Sequence, residues 1–444
     1  MTTRRAGPRV RFSSGGRALL VRLRYFAYLV RRRLRKRRYP LLRLGARRGG
    51  AARTSRILRD IKLCRTAEFG GHIYFSLTTP RWPSKAFDCM VANGGLNVAL
   101  AGTPGKRHLD MAILGITRRC PYACGHCYEY DNIAERDSVP AGRWSEVVRE
   151  TQRLGTGVIV LSGGEPMTRY EDLLDLVDAG DKDLSDFHLH TSGYGVTPEK
   201  AAALKGAGLT AAGVGLDDVS PERHDRLRGY AGSHAQAVDA IRCFRDAGVF
   251  PYVNMCLTRD FVRAGELKAY LDFLKDLGVG FVRFLEPKPW GKYAEEEADT
   301  LFSQVDRETV TRFYEEAHEN KSFKNHPVIS YEAYAEAPER LGCMMGGLSH
   351  LYVDSAGNVR PCVFLPVSFG NIMTEDFTPV FQRMRKAIPG PLHAPCPSLQ
   401  LVGSIRSAIA RGASLPIRLE HIEREWEEMF RERPGAGEGS EGQR

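Results

Sequence analysis

Short apolar runs and amphipathic segments alternate along the chain between residues 111 and 287. The apolar runs are bounded by polar or glycine-rich turns and predict six strands: Met111–Ile116, Val158–Leu161, Phe187–His190, Ala211–Leu216, Tyr252–Leu257 and Val282–Leu285. The segments between them repeat apolar residues at helical spacing, most clearly in Trp144–Leu154, Pro198–Gly206, Ala235–Ala247 and Ala264–Leu277. This alternation predicts an α/β fold, a partial (β/α)6 barrel whose chemistry lies at the carboxyl ends of the strands.

The pattern changes on either side of this barrel. Leu351–Val353 and Val359–Phe364 predict a β-hairpin around a turn at residues 355–358. A helix is predicted over Ile417–Phe430, and the Gly-, Ser- and Glu-rich tail after Pro434 predicts disorder. We divide the chain into five parts: a basic amphipathic arm (1–59), a lead-in segment (60–109), the core barrel (110–300), a small cysteine-containing β-hairpin domain (301–400), and a C-terminal helix with its tail (401–444).

Charge is distributed unevenly over the 444 residues, whose 43% hydrophobic content is enough for a large core. Of the 64 Lys and Arg residues, 20 precede Asp60, which is the first acidic residue. The remainder therefore carries about nine net negative charges, and the basic balance belongs to the arm. This distribution argues against specific nucleic-acid binding by the protein as a whole.

The arm has an amphipathic stretch with Leu19, Leu23, Phe26, Val30 and Leu34 at helical spacing, followed by a dense run of arginines. Its continuous apolar part is far shorter than the roughly 20 residues that span a bilayer. Contact with an anionic membrane surface is one interpretation, because buried apolar area and basic attraction add. A solvated disordered arm, a mistaken start codon and an organelle transit peptide are the alternatives.

Cys120, Cys124 and Cys127 form the only tight cluster among the ten cysteines. Their spacing suits a metal or cluster site better than disulfides, and the chain shows no signal peptide, so we expect a reducing, cytoplasmic location with membrane contact through the arm as an addition. Three thiolates from one loop can each bind one iron of a cubane whose usual complement is four cysteines. On spacing alone, a structural zinc site that lacks its fourth ligand remains equally open.

The cysteine loop resembles the signature of the radical S-adenosylmethionine (SAM) superfamily, with His126 at a position that is usually aromatic. The resemblance implies a [4Fe-4S] cluster whose open iron binds SAM, reductive cleavage to a 5′-deoxyadenosyl radical, and hydrogen abstraction from a substrate. Similar motifs follow the next strands, although Ser192 replaces the asparagine of many relatives. The residues implied in SAM binding are Gly163, Gly164, Glu165, Pro166, Ser192, Asp217 and Arg228.

A second cysteine group resembles the opening half of the SPASM domain, because Cys343, Gly357 and Cys362 have the spacing C-x13-G-x4-C. Only Cys396 follows, so the match is closer to the shorter "twitch" version. The resemblance implies one auxiliary iron-sulfur cluster held by Cys343, Cys362 and Cys396, with one further position to be filled by substrate, water or another residue. A zinc site or plain buried thiols are the alternatives.

The expected function is therefore that of a radical SAM enzyme supplied by a one-electron donor of flavodoxin or ferredoxin type. Three substrate classes remain open: a ribosomal peptide, a lipid-linked molecule and a cofactor precursor. The alternative from another class is a zinc-binding regulatory or interaction module without SAM chemistry. Side chains on the predicted strands that can donate a proton or hydrogen atom are His188, His190, Tyr252, Cys256 and Glu286, and the sequence does not rank them.

Overall fold

The computed structural model describes residues 8–13, 65–95 and 109–431. Its strands are β1 (Arg11–Ser13), β2 (Thr66–Phe69), β3 (His72–Tyr74), β4 (Met111–Thr117), β5 (Val158–Gly163), β6 (Asp186–Thr191), β7 (Leu209–Gly215), β8 (Phe250–Cys256), β9 (Phe281–Leu285), β10 (Val328–Tyr331), β11 (His350–Val353), β12 (Val359–Arg360), β13 (Val367–Ser368) and β14 (Ile417–Arg418).

The helices of the same ranges alternate with the strands of the barrel and then follow it. They are α1 (Lys85–Ala92), α2 (Ala141–Arg153), α3 (Tyr170–Ala179), α4 (Pro198–Ala207), α5 (Pro221–Arg228), α6 (Ser233–Asp246), α7 (Arg259–Arg263), α8 (Leu267–Leu277), α9 (Ala298–Leu301), α10 (Gln304–Glu319), α11 (Glu332–Ala335), α12 (Phe377–Ala387), α13 (Pro397–Gln400), α14 (Val402–Ala410) and α15 (Glu423–Arg431). No helix in the described ranges is long and apolar enough to cross a membrane.

The six predicted strands form the parallel centre of the main sheet, in the order β9-β8-β7-β6-β5-β4. Every residue of β4 and of β7 is buried, which is typical of parallel strands that are covered on both faces. Trp144 of α2 is fully buried against this sheet. The predicted α/β barrel fold is confirmed.

The sheet is wider than the sequence predicted. β10 extends it beyond β9 in parallel, and β11 pairs in parallel with β4 on the opposite edge. β11 also forms the predicted antiparallel hairpin with β12, so the hairpin is continuous with the barrel sheet. β12 ends at Arg360 rather than Phe364, because Pro361 has no backbone N–H to donate to a ladder.

Two helix predictions need correction. The segment predicted over Ala264–Leu277 starts instead at Leu267, after a break at Gly265, whose φ of 72° lies in the left-handed region. The helix predicted over Ile417–Phe430 begins at Glu423. Ile417 is buried and its N–H donates to the carbonyl of Pro366 at 3.0 Å, so this segment forms β14 beside β13.

Part of the arm lies beside part of the lead-in segment, because β1 belongs to the arm and β2 and β3 belong to the lead-in segment. β1, β2 and β3 form a small antiparallel sheet in the described residues, and Tyr74 stacks on Phe250 with ring centroids 3.8 Å apart. Because Phe250 begins β8 and Phe281 begins β9, the small sheet covers the amino-terminal end of the barrel. The amphipathic stretch of the arm and the tail after Pro434 lie outside the described residues.

Candidate active site

The cysteine loop, residues 120–127, leaves the carboxyl end of β4 and is held by backbone hydrogen bonds from three directions. Glu165 N–H donates to the carbonyl of Arg119 at 2.8 Å, on the side of β5. Gly125 N–H donates to the carbonyl of Leu227 at 2.8 Å, at the end of α5. Lys292 N–H donates to the carbonyl of Cys127 at 2.9 Å. These three hydrogen bonds fix the position of the loop at the carboxyl end of the sheet.

The three cysteines of this loop are half-buried and line a single cavity of about 210 Å³. Burial raises the pKa of Cys120 and of Cys127 to about 12, so the thiols stay protonated unless a strong positive charge binds there. Iron supplies that charge and deprotonates its thiol ligands, so the donor set fits an iron-sulfur cluster.

A single metal ion fits the described residues less well. Within residues 8–13, 65–95 and 109–431, no three His, Cys, Asp or Glu side chains are close enough together to hold one ion. Thiolates that share one zinc must converge on it, whereas thiolates of a cubane each bind a different iron and stand farther apart. A cubane and a zinc ion therefore require different separations of the three thiols.

Gly163 and Gly164 at the end of β5 line the cavity beside the cysteines. Gly163 has a φ of 133°, a conformation that glycine adopts without strain. A Cβ on Gly164 would lie 2.4 Å from the carbonyl oxygen of Arg119, so only glycine permits this approach to the cysteine loop. The two glycines therefore let the backbone at the end of β5 pack directly against the backbone that leads into the cysteine loop.

Glu165 lies behind the cavity wall. Its carboxylate is 1% exposed and accepts hydrogen bonds from Met167 N–H at 3.0 Å, from Thr191 Oγ1 at 2.7 Å and from Ser192 N–H at 2.6 Å. Burial still raises its pKa, although these hydrogen bonds oppose the shift. Glu165 and the buried Pro166 are not among the cavity-lining residues, whereas Ser192 is. The carboxylate thus fixes the end of β6 at the cavity.

Asp217 and Arg228 form a buried ion pair on the opposite wall. Arg228 Nε donates to Asp217 Oδ2 at 2.7 Å, and the Asp217 side chain is fully buried. Burial acts to raise the pKa of Asp217, but the charge of Arg228 and the nearby imidazoles of His126 and His224 hold it at about 2. The guanidinium of Arg228 also interacts with the thiol of Cys124. This places one fixed positive charge beside the cysteine loop.

His126 and Cys256 line the cavity near this ion pair. Burial lowers the pKa of His126 to about 4, so its imidazole is neutral at pH 7, and its Nδ1 has no partner among the described residues. Burial strongly raises the pKa of Cys256, whose N–H donates to Asp217 Oδ1 at 2.9 Å. Cys256 therefore presents a neutral thiol to the cavity.

The far side of the cavity carries charges that the sequence reading did not bring together. Glu286 accepts from Lys288 Nζ at 2.9 Å, from Arg307 Nε at 3.1 Å and from the hydroxyl of Tyr331 at 2.7 Å. Lys288 lines the cavity and also interacts with the thiol of Cys396. The sequence named Glu286 as a possible donor but not its partners, because Lys288 follows β9 while Arg307 lies on α10 and Tyr331 on β10, and these groups meet only in the folded chain.

The second cysteine group converges next to this wall. Cys343 interacts with both Cys362 and Cys396, and burial raises the pKa of Cys362 to about 12. Val363 and Phe364, which follow Cys362, line the cavity of the cysteine loop. These three half-buried thiols again fit an iron-sulfur cluster, because bound iron supplies the positive charge that deprotonates thiol ligands.

Two known protein families match parts of the chain. The radical SAM superfamily matches residues 114–282, and the SPASM iron-sulfur cluster-binding domain matches residues 343–396. Each match contains one of the two cysteine groups, and together they cover about half of the chain.

Two curated relatives illustrate the similarity. An AdoMet-dependent heme synthase of Methanosarcina barkeri is 29% identical over 294 residues, which are 60% of this chain and 80% of that protein. A PqqA peptide cyclase of Gluconobacter oxydans is 28% identical over 264 residues, which are 58% of this chain and 72% of that protein.

Solved structures show the same fold. SuiB of Streptococcus suis, determined with bound S-adenosylmethionine, has a TM-score of 0.50 at 16% identity, and the likeness covers 61% of this chain and 65% of that one. The structure of anSMEcpe with bound AdoMet and the Kp18Cys peptide has a TM-score of 0.50 at 19% identity and covers 72% and 96% of the two chains.

Two thiol groups at the carboxyl end of a parallel barrel, each inside an iron-sulfur family match, define the class as an iron-sulfur enzyme. The chain belongs to the radical SAM superfamily and carries a SPASM domain. Its cofactors are accordingly a [4Fe-4S] cluster, SAM and auxiliary iron-sulfur.

Proposed function

We propose that Cys120, Cys124 and Cys127 hold the [4Fe-4S] cluster at which SAM is cleaved, and that the chain removes a hydrogen atom from a substrate in the same cavity. One observation carries the proposal. These cysteines line a single cavity together with five of the residues that the sequence motifs assigned to SAM: Gly163, Gly164, Ser192, Asp217 and Arg228. When bound, the cluster supplies an electron to the sulfonium of SAM, which yields the 5′-deoxyadenosyl radical.

The residues of the chain bind and orient SAM. Arg228 offers a fixed positive fork for the carboxylate of SAM, and the hydroxyl of Ser192 offers a hydrogen bond. Asp217 holds Arg228 in place, and Glu165 holds Ser192 from behind the wall. Exclusion of water from the cavity protects a primary carbon radical from being quenched.

The substrate is proposed to be a peptide or a cofactor precursor. Relatives named PqqA peptide cyclase and AdoMet-dependent heme synthase support these two classes over a lipid-linked molecule. A low-potential one-electron donor of flavodoxin or ferredoxin type completes the reaction, and two iron-sulfur sites with thiolate ligands suit a reducing cytoplasm.

Anaerobic reconstitution tests the proposal. The wild-type protein is expected to be brown, to contain iron and sulfide, and to release 5′-deoxyadenosine from SAM when it is reduced with dithionite. The triple variant Cys120→Ala, Cys124→Ala, Cys127→Ala is expected to lose about four irons per chain and all 5′-deoxyadenosine formation. Cys243→Ala on α6, outside the cavity, is the matched control and should keep both.

A different result would remove the proposal. A colourless wild-type protein that binds zinc and leaves SAM intact under strong reductant would support the zinc-binding module instead. A triple variant that still forms 5′-deoxyadenosine at the wild-type rate would place the reactive cluster elsewhere.

We further propose that the basic arm contacts an anionic membrane surface, which its amphipathic pattern and arginine runs support. Deleting residues 1–59 would also remove β1, which pairs with β2. Replacing the basic residues instead tests membrane contact and leaves β1 in place. Replacing Arg31–Arg33 and Arg35–Arg38 with glutamine is expected to move the protein off phosphatidylserine-containing vesicles in a flotation assay. Equal flotation of the variant and the wild type would contradict membrane contact.

A further inference from the structure

The auxiliary cysteine group supplies three thiols to a cluster that usually takes four ligands. The SPASM match ends at Cys396, and the other described cysteines, apart from the loop trio, are Cys89, Cys243 and Cys256. Cys256 is occupied at the wall of the first cavity, where it interacts with Asp217 and Arg228. Substrate, water or a protein side chain can fill the remaining position, so the candidates within the chain are side chains that face the three thiols.

Glu336 faces them. This residue follows α11, and its N–H donates to the carbonyl of Glu332 at 2.7 Å, which ends the helix. Its Oε2 accepts from the N–H of Met344 at 3.2 Å, directly after Cys343. The same carboxylate also interacts electrostatically with the thiols of Cys343 and Cys362.

The backbone holds this arrangement together. Cys343 and Leu392 exchange two backbone hydrogen bonds, of 2.8 and 3.1 Å, which bring the segment of Cys396 beside Cys343. Cys362 lies two residues after the hairpin strand β12 and forms an isolated bridge with Leu365. Three separate chain segments thus present thiols to one place, and the segment of Glu336 adds a carboxylate to them.

We propose that Glu336 is the fourth protein ligand of the auxiliary cluster and binds its remaining iron through carboxylate oxygen. Binding requires the ionised carboxylate, so a proton leaves when the iron binds, as for any metal ligand of this type. The second Glu336 oxygen keeps the hydrogen bond from Met344, which orients the ligand. This inference concerns the auxiliary site alone and does not depend on SAM cleavage at the first site.

His393 is the rival ligand. It lies on the same segment as Leu392, and a Cβ on Gly342 would come within 3.0 Å of its Nδ1. Its Nδ1 donates a 2.8 Å hydrogen bond to the carbonyl of Pro338, which leaves Nε2 able to bind a metal. The Glu336 carboxylate, however, interacts with the thiols of both Cys343 and Cys362. The observed contacts therefore favour the carboxylate, and the experiment separates the two.

The test uses the full chain with Cys120, Cys124 and Cys127 replaced by alanine, so that only the auxiliary cluster remains. Anaerobic reconstitution of this background is expected to give about four irons per chain. Adding Glu336→Gln, which keeps the shape of the side chain, should lower the content to about three irons and give the EPR signal of an oxidised three-iron cluster. Adding Glu336→Cys should restore four irons with a more negative midpoint potential, because thiolate donates more charge to iron than carboxylate does.

Glu339→Gln is the matched control, because Glu339 is exposed on the same turn, and it should leave iron content and EPR spectrum unchanged. Circular dichroism of each variant separates ligand loss from unfolding. Full iron content in Glu336→Gln without a three-iron signal would overturn the inference. So would a loss that follows His393→Ala instead, or a background protein that binds no iron.

Discussion

Replacing Arg228 with methionine is expected to lower the free energy of unfolding by about 3–5 kcal/mol, because it leaves the fully buried carboxylate of Asp217 without its partner. The two side chains meet at 2.7 Å, and Asp217 has no exposed surface through which water could replace the guanidinium. The same change removes the positive charge beside Cys124, so 5′-deoxyadenosine formation should fall below detection.

The double variant Arg228→Met, Asp217→Asn separates these two effects. Asparagine keeps an oxygen that can accept from Cys256 N–H but carries no buried charge, so most of the lost stability should return. SAM turnover should not return, since the guanidinium is still absent. Denaturant titration of the anaerobic protein measures the first quantity, and a single-turnover assay with dithionite measures the second.

Arg242→Met provides the control for an ion pair of the same kind at the surface. Arg242 and Asp239 are 3.0 Å apart on α6, but more than half of each side chain is exposed. Loss of this exposed ion pair should change the free energy of unfolding by less than about 1 kcal/mol. Comparable destabilisation by Arg228→Met and Arg242→Met would show that burial of Asp217 does not set the effect.

The barrel could be predicted from the sequence because its strands are buried on both faces. Such strands are continuous apolar runs, and β4, β7 and β8 stand out between polar turns. The partners of short edge strands could not be predicted in this way. β10 has four residues and β11 also has four, and a run of that length does not specify which neighbour it pairs with.

In the candidate site, residues in local motifs could likewise be predicted from the sequence, whereas residues placed by tertiary contacts could not. The cysteine loop and the glycines after β5 are local motifs, so their positions in sequence already placed them at one end of the sheet. Glu286 and Lys288 are set by tertiary contacts with α10 and β10, and Glu336 becomes notable only when Cys343 and Cys362 stand beside it. The sequence also could not predict that the side chain of Glu165 lies behind the cavity wall and does not line the cavity.

Gly164→Ala is expected to reduce SAM cleavage by about 100-fold while the barrel remains folded, because displacement of reacting groups by about 1 Å has an effect of that size. The added Cβ would lie 2.4 Å from the carbonyl oxygen of Arg119, 2.9 Å from its carbonyl carbon and 3.1 Å from Cβ of Cys120. Two of these atoms are backbone, so the clash cannot be relieved by rotating a side chain. The start of the cysteine loop must move instead, at a cost of about 1–3 kcal/mol.

Gly206→Ala is the control for this substitution, because Gly206 lies inside α4 and a Cβ there meets no atom within 4 Å. Alanine at that site should stabilise the protein by about 0.5–1 kcal/mol and leave SAM cleavage at the wild-type rate. The comparison uses the rate of 5′-deoxyadenosine formation per reconstituted cluster, so that iron loss and misplacement are counted separately. A Gly164→Ala protein with the wild-type rate per cluster would mean that the loop tolerates the shift, and the close backbone approach of β5 would then have no part in positioning the cysteines.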